Sequence, residues 1–255
     1  MKLINTDEKI FIAGSSGMVG SSIKRKLNYF GYKKIICPKK SELDLSDIKL
    51  VERWFELNKP EVVILAAAKV GGIYANNQYP VEFLLENLKI QNNIIETAWK
   101  NKTRRLLFLG SSCIYPKHAN QPIIEEELLK GELEPTNQWY AIAKISGIKL
   151  CEALKKQYGF NAISLMPTNL YGPGDNYDEI NSHVLASFIR RFYEAKLKGK
   201  KEVICWGTGS PRREFLYVDD LAEAVLFILN NKPTENLYNI GTGLDISISD
   251  LAYLI

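Results

Sequence analysis

The chain has 255 residues, of which 46% are hydrophobic and 24% are charged, and its formal net charge is +4 at neutral pH. These are ordinary globular values, and the length suits one large α/β domain with a small second lobe. Lysines and arginines are scattered along the chain, which argues against a dedicated nucleic-acid surface.

The four cysteines and two histidines show no metal-binding spacing. There is no CxxC pair, and two histidines offer few further ligands. We therefore expect no metal site and reduced thiols at Cys37, Cys113, Cys151 and Cys205. Charged residues at Asp7–Lys9 interrupt any early apolar run, and no apolar run reaches membrane-spanning length. The sequence predicts a soluble, cytoplasmic protein with no membrane partner.

A glycine-rich loop follows the first predicted strand. The apolar run Lys9–Ala13 is typical of a buried parallel strand, and a helical pattern begins after Gly20. Glycines at positions 14, 17 and 20 lie between the two, at i, i+3 and i+6. A tight turn that leads into a helix N-terminus suits the pyrophosphate of a dinucleotide, so this loop is a candidate cofactor site.

The second predicted strand, Lys33–Cys37, ends in a basic turn. An NAD site usually places an acid near this point for the ribose 2′-hydroxyl. Lys39 and Lys40 stand there instead, which favours a 2′-phosphate and hence NADP, although a solvated turn is the alternative. Asp44 is a candidate hydrogen-bond partner for the adenine. Ser46 or Asp47 is expected to cap a helix that runs to Asn58.

Strands and helices then alternate along the chain. Glu61–Leu65 and Arg105–Leu109 are the third and fourth predicted strands, separated by a long helix over Pro80–Lys100. The expected buried face of that helix consists of Phe83, Leu84, Leu88, Ile94 and Ile95. Alternation with short connections predicts a doubly wound, parallel, Rossmann-like sheet.

A tyrosine and a lysine lie four residues apart in Asn137–Lys144, at the expected start of a helix. Residues at i and i+4 share one helix face, so Tyr140 and Lys144 can serve one site. The lysine is expected to lower the pKa of the phenol, which could then protonate a carbonyl oxygen that receives a hydride. Hydroxyls and a thiol in Gly110–Pro116 end the fourth strand at the same edge of the sheet.

Regularity loosens beyond the fifth predicted strand, Ala162–Met166. We expect a Rossmann-like domain over residues 1–170 and a smaller substrate-binding lobe over 171–255, with segments that return to the main domain. The predicted elements of the lobe are a loop at Tyr171–Asn176, a helix at Ser182–Lys198, a strand at Val203–Trp206 and an aspartate-capped helix from Val218. The chain stops at Leu251–Ile255 inside an apparent amphipathic helix.

Several long motifs resemble the extended short-chain dehydrogenase/reductases and, within them, the GDP-L-fucose synthase family. They comprise GxxGxxG, a serine after the fourth strand, YxxxK, and the segments Ala66–Ile73, Leu106–Pro116, Glu134–Asn137, Met166–Pro173 and Asn181–Val184. The resemblance covers nearly the whole chain. Members of that family continue for some tens of residues beyond the equivalent of Ile255, so the substrate lobe is expected to be incomplete.

The resemblance implies NADPH-dependent 3,5-epimerisation and 4-keto reduction of GDP-4-keto-6-deoxymannose by a homodimer. Ser111, Tyr140 and Lys144 would form the reductase triad, and Cys113 and His183 would be the acid/base pair of epimerisation. Expected substrate contacts are Arg191, Trp206 and Arg213. Expected NADP(H) contacts are Gly14, Gly17, Met18, Val19, Gly20, Lys39, Lys40, Asp44, Leu109, Ser111, Lys144, Pro167, Asn169, Leu170 and His183.

Related activities give the alternatives. A dehydratase would place an acidic pair just after the serine of strand four, where Cys113-Ile114 stands. A nucleotide-sugar 4-epimerase shares the serine, tyrosine and lysine but needs no cysteine–histidine pair. A 4-reductase of a related GDP-sugar that does not epimerise, and an NADP-sensing module without catalysis, remain as alternatives.

Overall fold

Nine strands are found in the part of the chain that the structure, a computed structural model, describes: residues 3–179 and 181–255. The strands are β1 (Lys9–Ala13), β2 (Lys34–Ile36), β3 (Val62–Leu65), β4 (Arg105–Leu109), β5 (Ala162–Pro167), β6 (Asn169–Tyr171), β7 (Arg212–Tyr217), β8 (Leu237–Ile240) and β9 (Asp245–Ser247). The helices are α1 (Met18–Tyr29), α2 (Ile48–Asn58), α3 (Ile73–Gln78), α4 (Pro80–Lys100), α5 (Gln138–Tyr158), α6 (Val184–Leu197), α7 (Val218–Asn230) and α8 (Ile248–Leu254).

The central sheet has six strands in the order β2-β1-β3-β4-β5-β8, and all neighbouring strands are parallel. The predicted doubly wound fold is confirmed. Strand order reverses between β1 and β3, so the loops after these two strands flank a crevice at the carboxyl edge. Ligands of open α/β sheets bind at such a switch point.

Side chains of the buried strands alternate between two helical layers. Ile10 and Ile12 belong to the core under α1 and α7, whereas Phe11 and Ala13 belong to the core under α2, α4 and α5. Such alternation follows from the two-residue period of a strand. Helix α7 and strand β8 lie after residue 171 in sequence, yet both belong to this main body.

The buried face of α4 differs from the expected one. Phe83, Ile94 and Ile95 are buried as predicted, but Leu84 and Leu88 are only half-buried. Between Phe83 and Ile94, the buried positions of the helix are occupied by Asn87 and Gln91. Hydrophobicity alone misses these two amides, because each satisfies backbone groups inside the protein.

A second, smaller sheet has the strand order β6-β7-β9. The predicted strand at Val203–Trp206 is not part of it, and that prediction is wrong. That segment is irregular, and Ile204 and Trp206 are largely exposed. The strand in this part of the chain is β7, which begins at Arg212. The apolar pattern does not indicate it because both Arg212 and Arg213 are exposed.

Two helix starts also differ from the expected caps. Tyr217 is the N-cap residue of α7, and Asp219 and Asp220 lie in its first turn, where carboxylates favour the helix dipole. His183 is the N-cap residue of α6, so that helix begins at Val184. In the described ranges, every helix falls short of the combined length and apolarity that crossing a bilayer requires.

Candidate active site

The glycine loop packs directly against the loop that follows β3. Gly14 has a φ of +89°, and a methyl group on it would lie 2.6 Å from the backbone nitrogen of Ala67. A methyl group on Gly20 would overlap the carbonyl of Gly14. Gly17 is the N-cap residue of α1 and has no side chain to cap the first N–H groups of that helix. This bare helix start fits the pyrophosphate of a dinucleotide cofactor.

The basic turn after β2 is open to solvent. Lys39 and Lys40 are both exposed, and the carboxylate of Glu42 accepts the backbone N–H of Lys39 at 2.7 Å. Asp44 accepts hydrogen bonds from the amide and hydroxyl of Ser46, which lower the pKa of its carboxyl group. One carboxylate oxygen of Asp44 thus holds a local turn.

Tyr140 and Lys144 lie on the first turns of α5, beside the end of β4. The ammonium of Lys144 is buried and donates to the carbonyl of Leu109 at 2.8 Å. It also lies 4.8 Å from the ring centroid of Phe108 and 5.7 Å from that of Tyr140. The Tyr140 ring meets Phe83 of α4 edge-on, with centroids 6.4 Å apart. Helix α5 therefore brings the phenol and the ammonium together at the switch-point edge.

The pKa of Tyr140 shifts opposite to the expected direction. Burial raises it above the usual tyrosine range, the nearby Cys113 adds to the rise, and the neighbouring Ser111 hydroxyl opposes it. Burial also lowers the pKa of Lys144 to about 8. The expected lowering by Lys144 is wrong because desolvation acts on both groups and outweighs their proximity. Tyr140 stays a neutral phenol at neutral pH, which is the form that donates a proton.

Ser111 and Cys113 form one unit at the end of β4. The Ser111 hydroxyl lies 3.0 Å from the Cys113 sulfur and accepts the Cys113 backbone N–H at 3.4 Å. Ser111 thereby caps a short 3₁₀ turn at Ser112–Ile114. Burial raises the pKa of the Cys113 thiol, against the hydrogen bond from Ser111 and the charge of Lys144. The thiol is thus neutral at rest, and the hydroxyl adjoins both Cys113 and Tyr140.

His183 lies directly before α6, as its N-cap residue. Its side chain is exposed, while neighbouring protein atoms desolvate the imidazolium and lower its pKa, against the nearby carboxylate of Asp175. Asp175 belongs to the loop after β6, in which a methyl group on Gly174 would lie 3.7 Å from Cα of Met18. A neutral imidazole can accept a proton and a neutral thiol can donate one, so His183 and Cys113 rest as acceptor and donor.

Four of the remaining expected cofactor residues lie at the carboxyl edge of the main sheet. Met18 and Val19 open α1, and Leu109 and Pro167 end the neighbouring strands β4 and β5. Asn169 and Leu170 form β6, where the amide of Asn169 donates to the carbonyl of Glu214 at 2.9 Å. Met18, Val19, Leu109 and Pro167 therefore lie on the side of the main sheet that carries the glycine loop, whereas Asn169 and Leu170 belong to the second sheet.

The three expected substrate residues are less closely joined. Arg191 of α6 donates to the carbonyl of Ile204, which brings it to the segment that carries Trp206. Trp206 is 83% exposed. Arg213 is exposed on β7, and its described hydrogen bond goes to the carbonyl of Arg212. Both guanidinium groups keep N–H groups for an anionic ligand.

Sequence reasoning missed the amides that fix this site. Gln91 of α4 donates to the carbonyl of Ala143, next to Lys144, at 2.6 Å. Asn87 binds both the N–H and the C=O of Lys69. Their spacing could have indicated that both amides are buried, since positions 83, 87 and 91 lie four residues apart on one face of the helix.

Comparison with known proteins agrees with this geometry. The family model described as "NAD dependent epimerase/dehydratase family" matches residues 10–241. The chain is 56% identical to GDP-L-fucose synthase 1 of Arabidopsis thaliana over 247 residues, which are 97% of this chain and 76% of that protein. It is 49% identical to GDP-L-fucose synthase of Escherichia coli strain K12 over an alignment of 257 positions, which covers 97% of this chain and 80% of that protein.

A solved structure shows the same likeness. It is MlghC, a GDP-mannoheptose C4 reductase from Campylobacter jejuni with NADP bound. The TM-score is 0.90 at 36% identity, and the match covers 98% of this chain and 83% of that one. The described loop geometry and these similarities agree on a nicotinamide cofactor. The chain belongs to the NAD dependent epimerase/dehydratase family and, within it, to the GDP-L-fucose synthases.

Proposed function

We propose that this chain catalyses the NADPH-dependent 3,5-epimerisation and 4-keto reduction of GDP-4-keto-6-deoxy-D-mannose to GDP-L-fucose. The observation that carries the proposal is the position of Ser111. Its hydroxyl lies 3.0 Å from the Cys113 sulfur and is close enough to Tyr140 to lower the pKa of the phenol. One hydroxyl thus joins a group suited to carbon acid/base chemistry to a group suited to carbonyl reduction.

Reduction uses Tyr140 as the proton donor. When bound, the reduced nicotinamide supplies the hydride that the C4 carbonyl carbon receives. Tyr140 gives its proton to the carbonyl oxygen as that oxygen gains charge, and the Ser111 hydroxyl donates a hydrogen bond to the same oxygen. Lys144, fixed by the carbonyl of Leu109, provides a nearby positive charge that favours transfer of the phenol proton.

Epimerisation uses Cys113 and His183. A carbon next to the ketone loses its proton to one of them, and the electron pair of the C–H bond moves into an enolate. The other returns a proton to the opposite face, so the carbon is inverted and no net charge is gained. Tyr140 and Ser111 hold the enolate oxygen during this exchange, so both reactions share one oxygen site.

Preference for NADP over NAD is supported by the exposed ammonium groups of Lys39 and Lys40 beyond β2. A 2′-phosphate would lie on this basic turn. Arg191 and Arg213 suit the diphosphate of the sugar nucleotide, because guanidinium groups bind phosphates through paired, charge-assisted bonds. The residues after 171 that carry Trp206 and these arginines act as the substrate lobe.

A 4-reductase that does not epimerise is the second candidate, favoured by the likeness to a GDP-mannoheptose C4 reductase. The two candidates differ in the product they form. We would mix the protein with NADPH and GDP-4-keto-6-deoxymannose and determine the sugar configuration by NMR. Inversion at C3 and C5 supports our proposal, whereas a 4-hydroxy product with unchanged C3 and C5 supports the second candidate.

We also propose a homodimer formed through α4 and α5. A groove of about 490 Å³ lies between these helices, and Leu85, Ile142 and Tyr158 expose apolar surface on them. Light scattering should give twice the 29.0 kDa chain mass, and a single-chain mass would contradict this. The four cysteines are free thiols, which supports our proposal that the protein acts in the reducing cytoplasm.

A further inference from the structure

The segment Lys69–Gly72, which follows β3, is held in place by two buried amides. Asn87 of α4 accepts the N–H of Lys69 at 2.8 Å and donates to its carbonyl at 3.0 Å. Asn76 of α3 donates to the carbonyls of Gly71 and Gly72 at 2.8 and 3.1 Å. Both amide side chains are buried, at 2% and 7% exposure. The segment is therefore fixed at both ends by side chains of the main domain.

Gly72 in turn contacts the chain just before His183. Its N–H donates to the carbonyl of Asn181 at 3.1 Å. A methyl group on Gly72 would lie 2.8 Å from the carbonyl oxygen of Ser182, against 3.4 Å for an ordinary contact, a shift of about 0.6 Å. The φ of Gly72, −66°, is open to any residue, so close approach and not backbone freedom requires glycine here.

The contact between Gly72 and Ser182 affects the position of His183, a candidate catalytic residue. His183 directly follows Ser182 and is the N-cap residue of α6. The carbonyl of His183 accepts the N–H of Ser187 at 2.9 Å, so its backbone is also part of the first helical turn. Any displacement of Ser182 must therefore move His183, the first turn of α6, or both.

We propose that Gly72 and Asn76 are positioning residues for His183: the Lys69–Gly72 segment is the surface on which Asn181–His183 docks, and it determines where the imidazole lies in the cleft. The inference rests on the proposed function, in which His183 exchanges a proton with the sugar. Neither Gly72 nor Asn76 needs to touch the substrate. Their effect should be selective for epimerisation, since Tyr140 and Lys144 are held by α5 and β4.

Two variants and a matched control test this proposal. Gly72→Ala introduces the clash with Ser182, and Asn76→Ala removes the amide that fixes Gly71 and Gly72. Asn101→Ala is the control, because Asn101 also donates to the carbonyl four residues before it, at 3.0 Å, but at the far end of α4. The rate at which solvent deuterium enters the sugar, and the dissociation constant for NADPH, are measured for each.

Deuterium entry should fall at least about tenfold in Gly72→Ala and Asn76→Ala, since a displacement of about 1 Å can cost 10²-fold. NADPH binding should weaken by a smaller factor than deuterium entry, because His183 is one of many expected cofactor contacts, and Asn101→Ala should match the parent throughout. Parent rates of deuterium entry in both test variants would overturn the proposal. If Gly72→Ala fails to fold, Asn76→Ala decides.

Titration of the histidine rings gives a second readout that needs no substrate. The chain has two histidines, and the exposed His118 serves as an internal reference. Release of His183 from its surroundings should raise its pKa in both test variants, because burial lowers it in the parent. An unchanged His183 titration would contradict the proposal. If the parent exchanges no deuterium, the proposed function fails, and this titration alone decides the positioning role.

Discussion

The hydroxyl of Ser111 lies 3.0 Å from the sulfur of Cys113, at the carboxyl end of β4. The same hydroxyl neighbours the phenol of Tyr140 and lowers its pKa, against the larger effect of burial. A residue of the reductase triad therefore contacts the thiol assigned to epimerisation. Chemistry at carbon and chemistry at the carbonyl oxygen can share one substrate position, because the ketone oxygen need not move between the two reactions.

Removal of the phenol hydroxyl should abolish most of the reduction. Tyr140→Phe keeps the ring that packs against Phe83 but loses the proton donor. Reduction should fall by about 10²-fold or more, and NADPH should bind nearly as in the parent. Single-turnover oxidation of NADPH, followed by absorbance, measures the first effect. Reduction at the parent rate would show that another group protonates the oxygen.

Reversal of charge in the basic turn should weaken one cofactor selectively. Lys40→Glu places a carboxylate where a 2′-phosphate is expected, so the affinity for NADPH should fall more than that for NADH. Fluorescence titration of both cofactors gives the two dissociation constants. Lys117→Glu is a suitable control, since Lys117 is an exposed lysine paired with Glu134. Equal losses for the two cofactors would exclude a contact between Lys40 and the 2′-phosphate.

Burial of Lys144 predicts a specific dependence of stability on pH. Its pKa is lowered to about 8 in the folded chain, from an unfolded value of 10.5, so the unfolded chain binds more protons between these values. The contribution of Lys144 to the free energy of unfolding should therefore rise with pH across this window, by up to roughly 3 kcal/mol.

Denaturant unfolding of the parent and Lys144→Met at pH 8 and near pH 10.5 measures this contribution. The methionine variant carries every other titrating group, so subtraction isolates Lys144. The difference, parent minus variant, should increase with pH. A difference that stays constant or decreases would mean that the ammonium remains charged across the window in the folded chain.

Much of the fold follows from local patterns in the sequence. The apolar runs of β1 and β4 and the helix Pro80–Lys100 were predicted with the bounds that the structure shows. The two strands lie in the main body, where burial on both faces leaves a continuous apolar signal, and the helix shows the helical period of one buried face. Strand β7 was missed because its pairing partners, β6 and β9, are distant in sequence and its first residues are exposed arginines.

Sequence patterns indicate which candidate residues share an element or an edge of the sheet, but not the electrostatics of the site. Spacing brings Tyr140 and Lys144 to one helix face, but it does not show that both groups are buried, and burial reversed the expected shift of the phenol pKa. Likewise, no local pattern indicates that Gly72 contacts Ser182, because that contact joins segments about 110 residues apart.

The most direct test of a single shared site is Cys113→Ser, assayed in deuterium oxide with GDP-4-keto-6-deoxymannose and NADPH. Serine preserves the size of the side chain but has a far higher pKa than a thiol, so it exchanges protons with carbon poorly. We predict that deuterium no longer enters C3 and C5 at a measurable rate, while NADPH still binds and the residual reduction yields the unepimerised 6-deoxy sugar. Deuterium entry into both carbons at the parent rate would contradict the account, because Cys113 would then be a packing residue.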